Sequence, residues 1–129
     1  MDLSQWIERH ARFAPRAPAL RFEGREITYA ELAGRIRRAA AVLAGLGVGP
    51  GDAVAYLGLN SPALLTLLFA CARQGAMFVP LNWRLAPREH ARVLADCPPR
   101  VLFVEPVFAA HAAAIEGASD IHFEPKEDG

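Results

Sequence analysis

Lysine is almost missing from this chain: Lys126 is the only one, and arginine supplies the rest of its 14 basic residues. A phosphate-cradling Gly-x-x-x-x-Gly-Lys loop is thereby excluded, because that loop needs a lysine after its second glycine. Cysteine is scarce too. Cys71 and Cys97 form no Cys-x-x-Cys pair, and no histidine stands at a metal-ligand spacing from either. Cys71 lies in an apolar run and reads as a small core residue. No Gly-x-Ser-x-Gly elbow surrounds Ser4, Ser61 or Ser119, so the nucleophile of that hydrolase class is missing. His10, His90, His111 and His122 make no His-x-x-x-His pair, and each reads as a surface or satisfied core histidine. Net charge is zero, which leaves no global field to draw nucleic acid or a membrane surface. The longest apolar stretch, Pro62 to Ala72, contains Thr66 and falls well short of the roughly 20 residues that span a bilayer. Met1-Asp2-Leu3-Ser4-Gln5 carries no basic patch leading into an apolar run, so no secretory signal is expected and a cytoplasmic location is.

What is present suits one globular unit with a real core: 129 residues, 53% hydrophobic and 22% charged. Charge is unevenly spread. Residues 1–100 hold 13 arginines against 8 acidic residues (+5), whereas 101–129 hold Lys126 against 6 (−5). A solvated surface with an acidic tail accounts for this.

Periodicity gives the elements. Leu3, Trp6, Ile7, His10 and Phe13 share one side of a helix over 3–13, which Pro15 and Pro18 end. Residues 19–27 read as two short strands turning at Glu23-Gly24. Thr28-Tyr29-Ala30-Glu31 matches a capping box, and Leu32, Ile36, Ala39, Leu43 and Leu46 follow as one apolar stripe. Arg35, Arg37 and Arg38 lie off the stripe, on what reads as the helix's wet face. Gly47 is a natural left-handed stop. Ala53–Leu57 reads as a strand buried on both faces. Ser61-Pro62 is an N-cap with proline at the first helical position, opening a helix to Gln74 that Gly75 stops. Strand 76–81 and a helix from Pro87 to Asp96 follow, with Ala86 a poor cap. Strand 101–104, a weaker helix over 107–115 and a last strand over 120–124 complete the series. Short apolar strands alternating with helices predict an α/β fold: a mostly parallel sheet covered by helices, preceded by a small β-hairpin.

Gly45-Leu46-Gly47-Val48-Gly49-Pro50-Gly51 imitates a nucleotide-binding fingerprint but follows a helix and precedes a strand, the reverse of the order that aims N–H groups at a pyrophosphate. It reads as a turn. Asp96, Glu105 and Glu116 read as solvated helix-end and loop charges rather than acid/base groups.

Two blocks carry the reading further. Ile27-Thr28-Tyr29-Ala30-Glu31-Leu32 resembles the Thr-Tyr-x-Glu-Leu signature of adenylate-forming enzymes, and the stretch from Leu68 to Arg84 resembles their Lys-Ala-Gly-Ala-x-x-Val-Pro-Leu-Asn block, with Arg73-Gln74 in place of Lys-Ala. Gly47-Val48-Gly49-Pro50-Gly51-Asp52 and Asn60-Ser61-Pro62 match between them in order and spacing, so the resemblance covers residues 3–105. Asn82, where carrier-loading adenylation domains usually have Asp, points to the acid–CoA ligase branch. The chain is thus identified as similar to the N-terminal portion of the AMP-binding domain of an acid–CoA ligase. Residues 1–129 would be that portion, an incomplete fold, with the ATP-binding core and C-terminal domain absent. Ala86 and His90 depart from the family pattern where Ser or Thr and Leu are common. The Thr-Ser-Gly-x-Thr-Gly-x-Pro-Lys phosphate loop does not occur in the chain.

For the whole enzyme the resemblance implies attack of a carboxylate on ATP to give acyl-AMP, then thioester formation with CoA. ATP, Mg2+ and CoA would serve it. To this chain it assigns no catalytic, cofactor-binding or metal-ligating residue, so the polypeptide alone is expected to be an inactive scaffold. Two other readings are a fragment of a carrier-loading adenylation domain, and a non-enzymatic remnant that self-associates through an unpaired sheet edge.

Overall fold

The computed structural model describes residues 2–115 and the backbone of 122–125; Glu116, Ser119, Asp120 and Lys126 lie outside the described residues. Helix α1 (Leu3–Phe13) opens the chain, with Asp2 as its N-cap accepting from the Ser4 N–H at 2.8 Å and from the Ser4 hydroxyl. The apolar side expected of this helix is only partly used. Ile7 and Ser4 are buried, while Leu3 (61% exposed), Trp6 (52%) and Phe13 (85%) face outward. Ser4 is accommodated inside because its hydroxyl is satisfied by Asp2.

A two-stranded antiparallel hairpin follows, β1 (Pro18–Phe22) and β2 (Arg25–Thr28). Its turn residues Glu23 and Gly24 both have positive φ (51° and 78°), the geometry whose twist matches a hairpin. Helix α2 (Tyr29–Gly45) starts where Thr28 Oγ1 accepts from the Glu31 N–H at 3.2 Å. The Thr28 hydroxyl in turn donates to the Glu31 carboxylate. At the other end the Val48 N–H donates to Leu43 O (2.9 Å) and the Gly47 N–H to Ala44 O (3.0 Å), with Gly47 at φ 82°. That pair of bonds closes the last turn on a left-handed glycine, as the sequence predicts. The buried face is broader than the expected stripe. Ala33 and Ala40 join Leu32, Ile36 and Leu43, because α2 packs on α1 and also on α3 (Pro62–Gln74).

The central sheet runs β4 (Met77–Leu81), β3 (Ala53–Leu57), β5 (Val101–Val104), β6 (His122–Pro125), and every pairing is parallel. Alternation along the strands splits the core in two. Val54, Tyr56, Val101 and Phe103 point to one side, where they meet Ala40 and Leu43 of α2 and Leu67, Ala70 and Cys71 of α3. Ala55, Leu57, Leu102 and Val104 point to the other side, against Leu94 of α4 (Pro87–Asp96) and Ala112 of α5 (Ala109–Ala113). A short 3₁₀ turn, Pro106–Phe108, precedes α5. Both faces of β3 and β5 are therefore covered, which is why these strands read as unbroken apolar runs. Strand β4 forms one outer edge, where Pro80 sits without a backbone donor. Among the described residues no helix is long and apolar enough to cross a membrane.

Candidate functional site

The order β4-β3-β5-β6 reverses direction at β3: the chain leaves β3 for β4 on one side, then returns through α4 to place β5 on the other. In an open parallel sheet such a reversal leaves a crevice beyond the carboxyl ends of the two strands, the favoured place for a site. Here it lies between Leu57-Gly58-Leu59 and Val104-Glu105.

Glu105 organises it. The Tyr56 hydroxyl donates to Glu105 Oε1 at 2.7 Å, and the Leu59 N–H donates to the same oxygen at 3.2 Å. The Glu105 N–H donates to Leu57 O at 3.0 Å, extending the strand pairing by one bond. Tyr56 is fully buried. Gly58 has no room for a side chain, since a Cβ would stand 2.6 Å from Glu105 Oε1 and 2.7 Å from the Tyr56 hydroxyl. Glu105 is thus half-buried and structurally engaged, not the solvated loop charge expected of it. The sequence offered no signal for this, because Tyr56 and Glu105 are 49 residues apart and meet only through the strand order. Asp96 is exposed, as expected.

Beside the crevice stands Ser61. It occupies the N-cap position of α3, yet its side chain makes no capping bond, and its Oγ is buried without a hydrogen-bond partner. The expected side-chain cap is therefore absent. The helix start rests instead on Pro62 and on Ser61 O, which accepts from Leu64 N (3.1 Å). A cavity of about 380 Å³ opens here, lined by Phe22, Glu23, Leu59, Ser61, Ala63, Glu105 and Pro106.

At the carboxyl end of β4 the loop Asn82-Trp83-Arg84 is held by histidine. His90, fully buried on α4, has Nε2 2.7 Å from Asn82 O and Nδ1 2.8 Å from His111 Nε2. A carbonyl only accepts, so Nε2 of His90 carries a proton, and the two rings share a hydrogen bond between His90 Nδ1 and His111 Nε2. Burial, then the neighbouring His90, lowers the His111 pKa from its ordinary value. His90 is a satisfied core histidine, as expected, but its pairing with His111 across 21 residues had no sequence signal. His10 donates from Nδ1–H to Trp6 O at 2.9 Å, and its ring stacks on Tyr29. Trp83 sits 6.1 Å from the Phe108 ring with the Arg84 guanidinium 5.2 Å over its face. Ala86, without a side-chain acceptor, is compensated by Glu89, whose Oε1 accepts from the Ala86 N–H at 3.2 Å. The glycine-rich stretch is a turn, with Gly47 and Gly51 at positive φ and the Gly49 N–H donating to Asp52 Oδ2 at 2.9 Å. Cys71 is a buried core residue, and burial pushes its thiol up to about 12.

The family model described as AMP-binding enzyme matches residues 7–127. The chain belongs to that family. Over 118 residues it is 56% identical to an indoleacetate–CoA ligase of Aromatoleum aromaticum, covering 92% of this chain and 23% of that protein. It is 50% identical to a feruloyl-CoA synthase of an Amycolatopsis species over 113 residues, covering 88% of this chain and 23% of the relative. A Mycobacterium tuberculosis fatty acyl CoA synthetase superposes with a TM-score of 0.89 at 29% identity, over 97% of this chain and 26% of that one. The chain thus spans about a quarter of the length of these relatives.

Family membership implies ATP, Mg2+ and CoA, and the residues of the crevice do not fit the first two. Its charged groups are the carboxylates of Glu105 and Glu23, which would repel a triphosphate, and it presents no cation. Among the described residues no group of three His, Cys, Asp or Glu side chains could hold a metal ion.

Proposed function

We propose that the chain is the N-terminal portion of the AMP-binding domain of an ATP-dependent acid–CoA ligase, and that it contributes framework rather than catalytic groups. The whole protein would join a carboxylic acid to CoA in the cytoplasm at the expense of ATP. An aromatic acid is the substrate class this reading favours, since the relatives at 50% identity or above are named for indoleacetate and ferulate. The observation that carries the reading is the 56% identity to the indoleacetate–CoA ligase over a segment that is 23% of that protein. The geometry supports it. A tyrosine–glutamate bond joins the strand ends at the crevice, and its lining presents carboxylates and no cation, which disfavours phosphate. Under this proposal no residue of the chain is catalytic, cofactor-binding or metal-ligating.

A chimera tests it. The matching segment of the indoleacetate–CoA ligase is replaced by this chain, and CoA-thioester formation from indoleacetate is measured. A framework role predicts activity within about tenfold of the parent enzyme, a barrier change of about 1.4 kcal/mol. A chimera that folds and purifies like the parent, yet forms no thioester, contradicts it.

A further inference from the structure

Four arginines from three helices meet at the end of α3 opposite Ser61. Arg9 and Arg12 come from α1, Arg37 from α2 and Arg73 from α3, and with Asp2 and Glu8 they line a cleft of about 500 Å³. Glu8 is the carboxylate between them. It accepts from Arg37 Nη1 at 2.8 and 3.0 Å and lies 3.5 Å from Arg73. Arg37 is therefore tied to α1 and is not simply part of a wet face. Asp2 is engaged at the start of α1, where the Ser4 hydroxyl, above all, holds its carboxyl below the usual range. Arg9 and Arg12 are exposed and, among the described residues, hold no hydrogen bond or ion pair.

Four guanidinium groups against two carboxylates leave the cleft at +2. Arg9 and Arg12 stand three residues apart on one helix, a spacing at which like charges repel. A doubly charged oxyanion would neutralise the cleft and relieve that repulsion, and the planar guanidinium fork matches phosphate oxygens geometrically. We propose that this cleft binds a phosphate-type dianion, a phosphate or diphosphate group. The group has two conceivable sources. One is a soluble molecule; the other is a lipid headgroup, since Leu3, Trp6 and Phe13 stand exposed on the same helix.

Calorimetric titration of the 129-residue chain with inorganic pyrophosphate at low ionic strength tests the chemistry. Co-sedimentation with phosphatidylcholine vesicles, with and without phosphatidic acid, separates the sources. The expected result is binding near one pyrophosphate per chain, weakened about tenfold or more in R9Q/R12Q and unchanged in R88Q on α4. Glu8→Gln removes the competing carboxylate and is expected to tighten binding, a direction that a merely structural role would not give. Sedimentation that needs phosphatidic acid and is lost in R9Q/R12Q places the group on lipid; pyrophosphate binding without it assigns a soluble ligand. No binding of either probe overturns the proposal. So does binding that R9Q/R12Q leaves intact, or that R88Q weakens equally.

Discussion

Glu105 and Tyr56 act as a clasp between the ends of β3 and β5. The bond joins a carboxylate to a fully buried hydroxyl, and bonds of that kind contribute about 1.5–3 kcal/mol. Tyr56→Phe should therefore lower the free energy of unfolding by that amount, read from urea denaturation; a loss under about 0.5 kcal/mol would show the clasp to be incidental. The histidine pair makes a pH prediction. His111 has a lowered pKa in the folded state, so its contribution is fully present above the unfolded value near 6.5 and fades as pH falls through the folded one. Unfolding midpoints in urea should drop between pH 8 and pH 5.5, and H111Q, which keeps a donor toward His90, should shrink the drop. An unaltered drop would place the effect elsewhere. Neither contact was legible in the sequence. Tyr56 read as one apolar strand residue and Glu105 as a loop charge, because each depends on a partner brought near by topology.

At the scale of elements, local chemistry made most boundaries readable. Thr28, Gly47 and Gly75 act within a few residues of themselves, and all three do what their types predict. Ser61 is the instructive exception. Its sequence context, Ser-Pro before an apolar run, matches that of a cap, but its hydroxyl is buried without a partner. Thr28→Ala should accordingly cost about 1 kcal/mol of stability, whereas Ser61→Ala should be neutral or stabilising, because it removes a buried polar group that nothing satisfies. Thermal melts of the two variants by circular dichroism decide the matter. Equal destabilisation would mean that Ser61 caps α3 after all. Helix α1 failed differently. Its periodicity predicted a buried side, but the side is shared between core and solvent, and periodicity does not say how much of a stripe a neighbour covers.

At the scale of the molecule, the parallel sheet with helices on both faces followed from unbroken apolar strands alternating with helices, and the family from four short blocks in order. The strand order was not legible, since pattern says which residues are buried and not which strand lies beside which. Yet that order places the crevice, and the crevice carries carboxylates where ATP would need cations. Under the proposed function this polypeptide supports nucleotide chemistry without performing it. A coupled assay for pyrophosphate released from ATP, run on the purified 129-residue chain with Mg2+, CoA and a panel of aromatic and fatty acids, tests it most directly. The account predicts no release above a protein-free control; release that requires both the chain and an acid would contradict it.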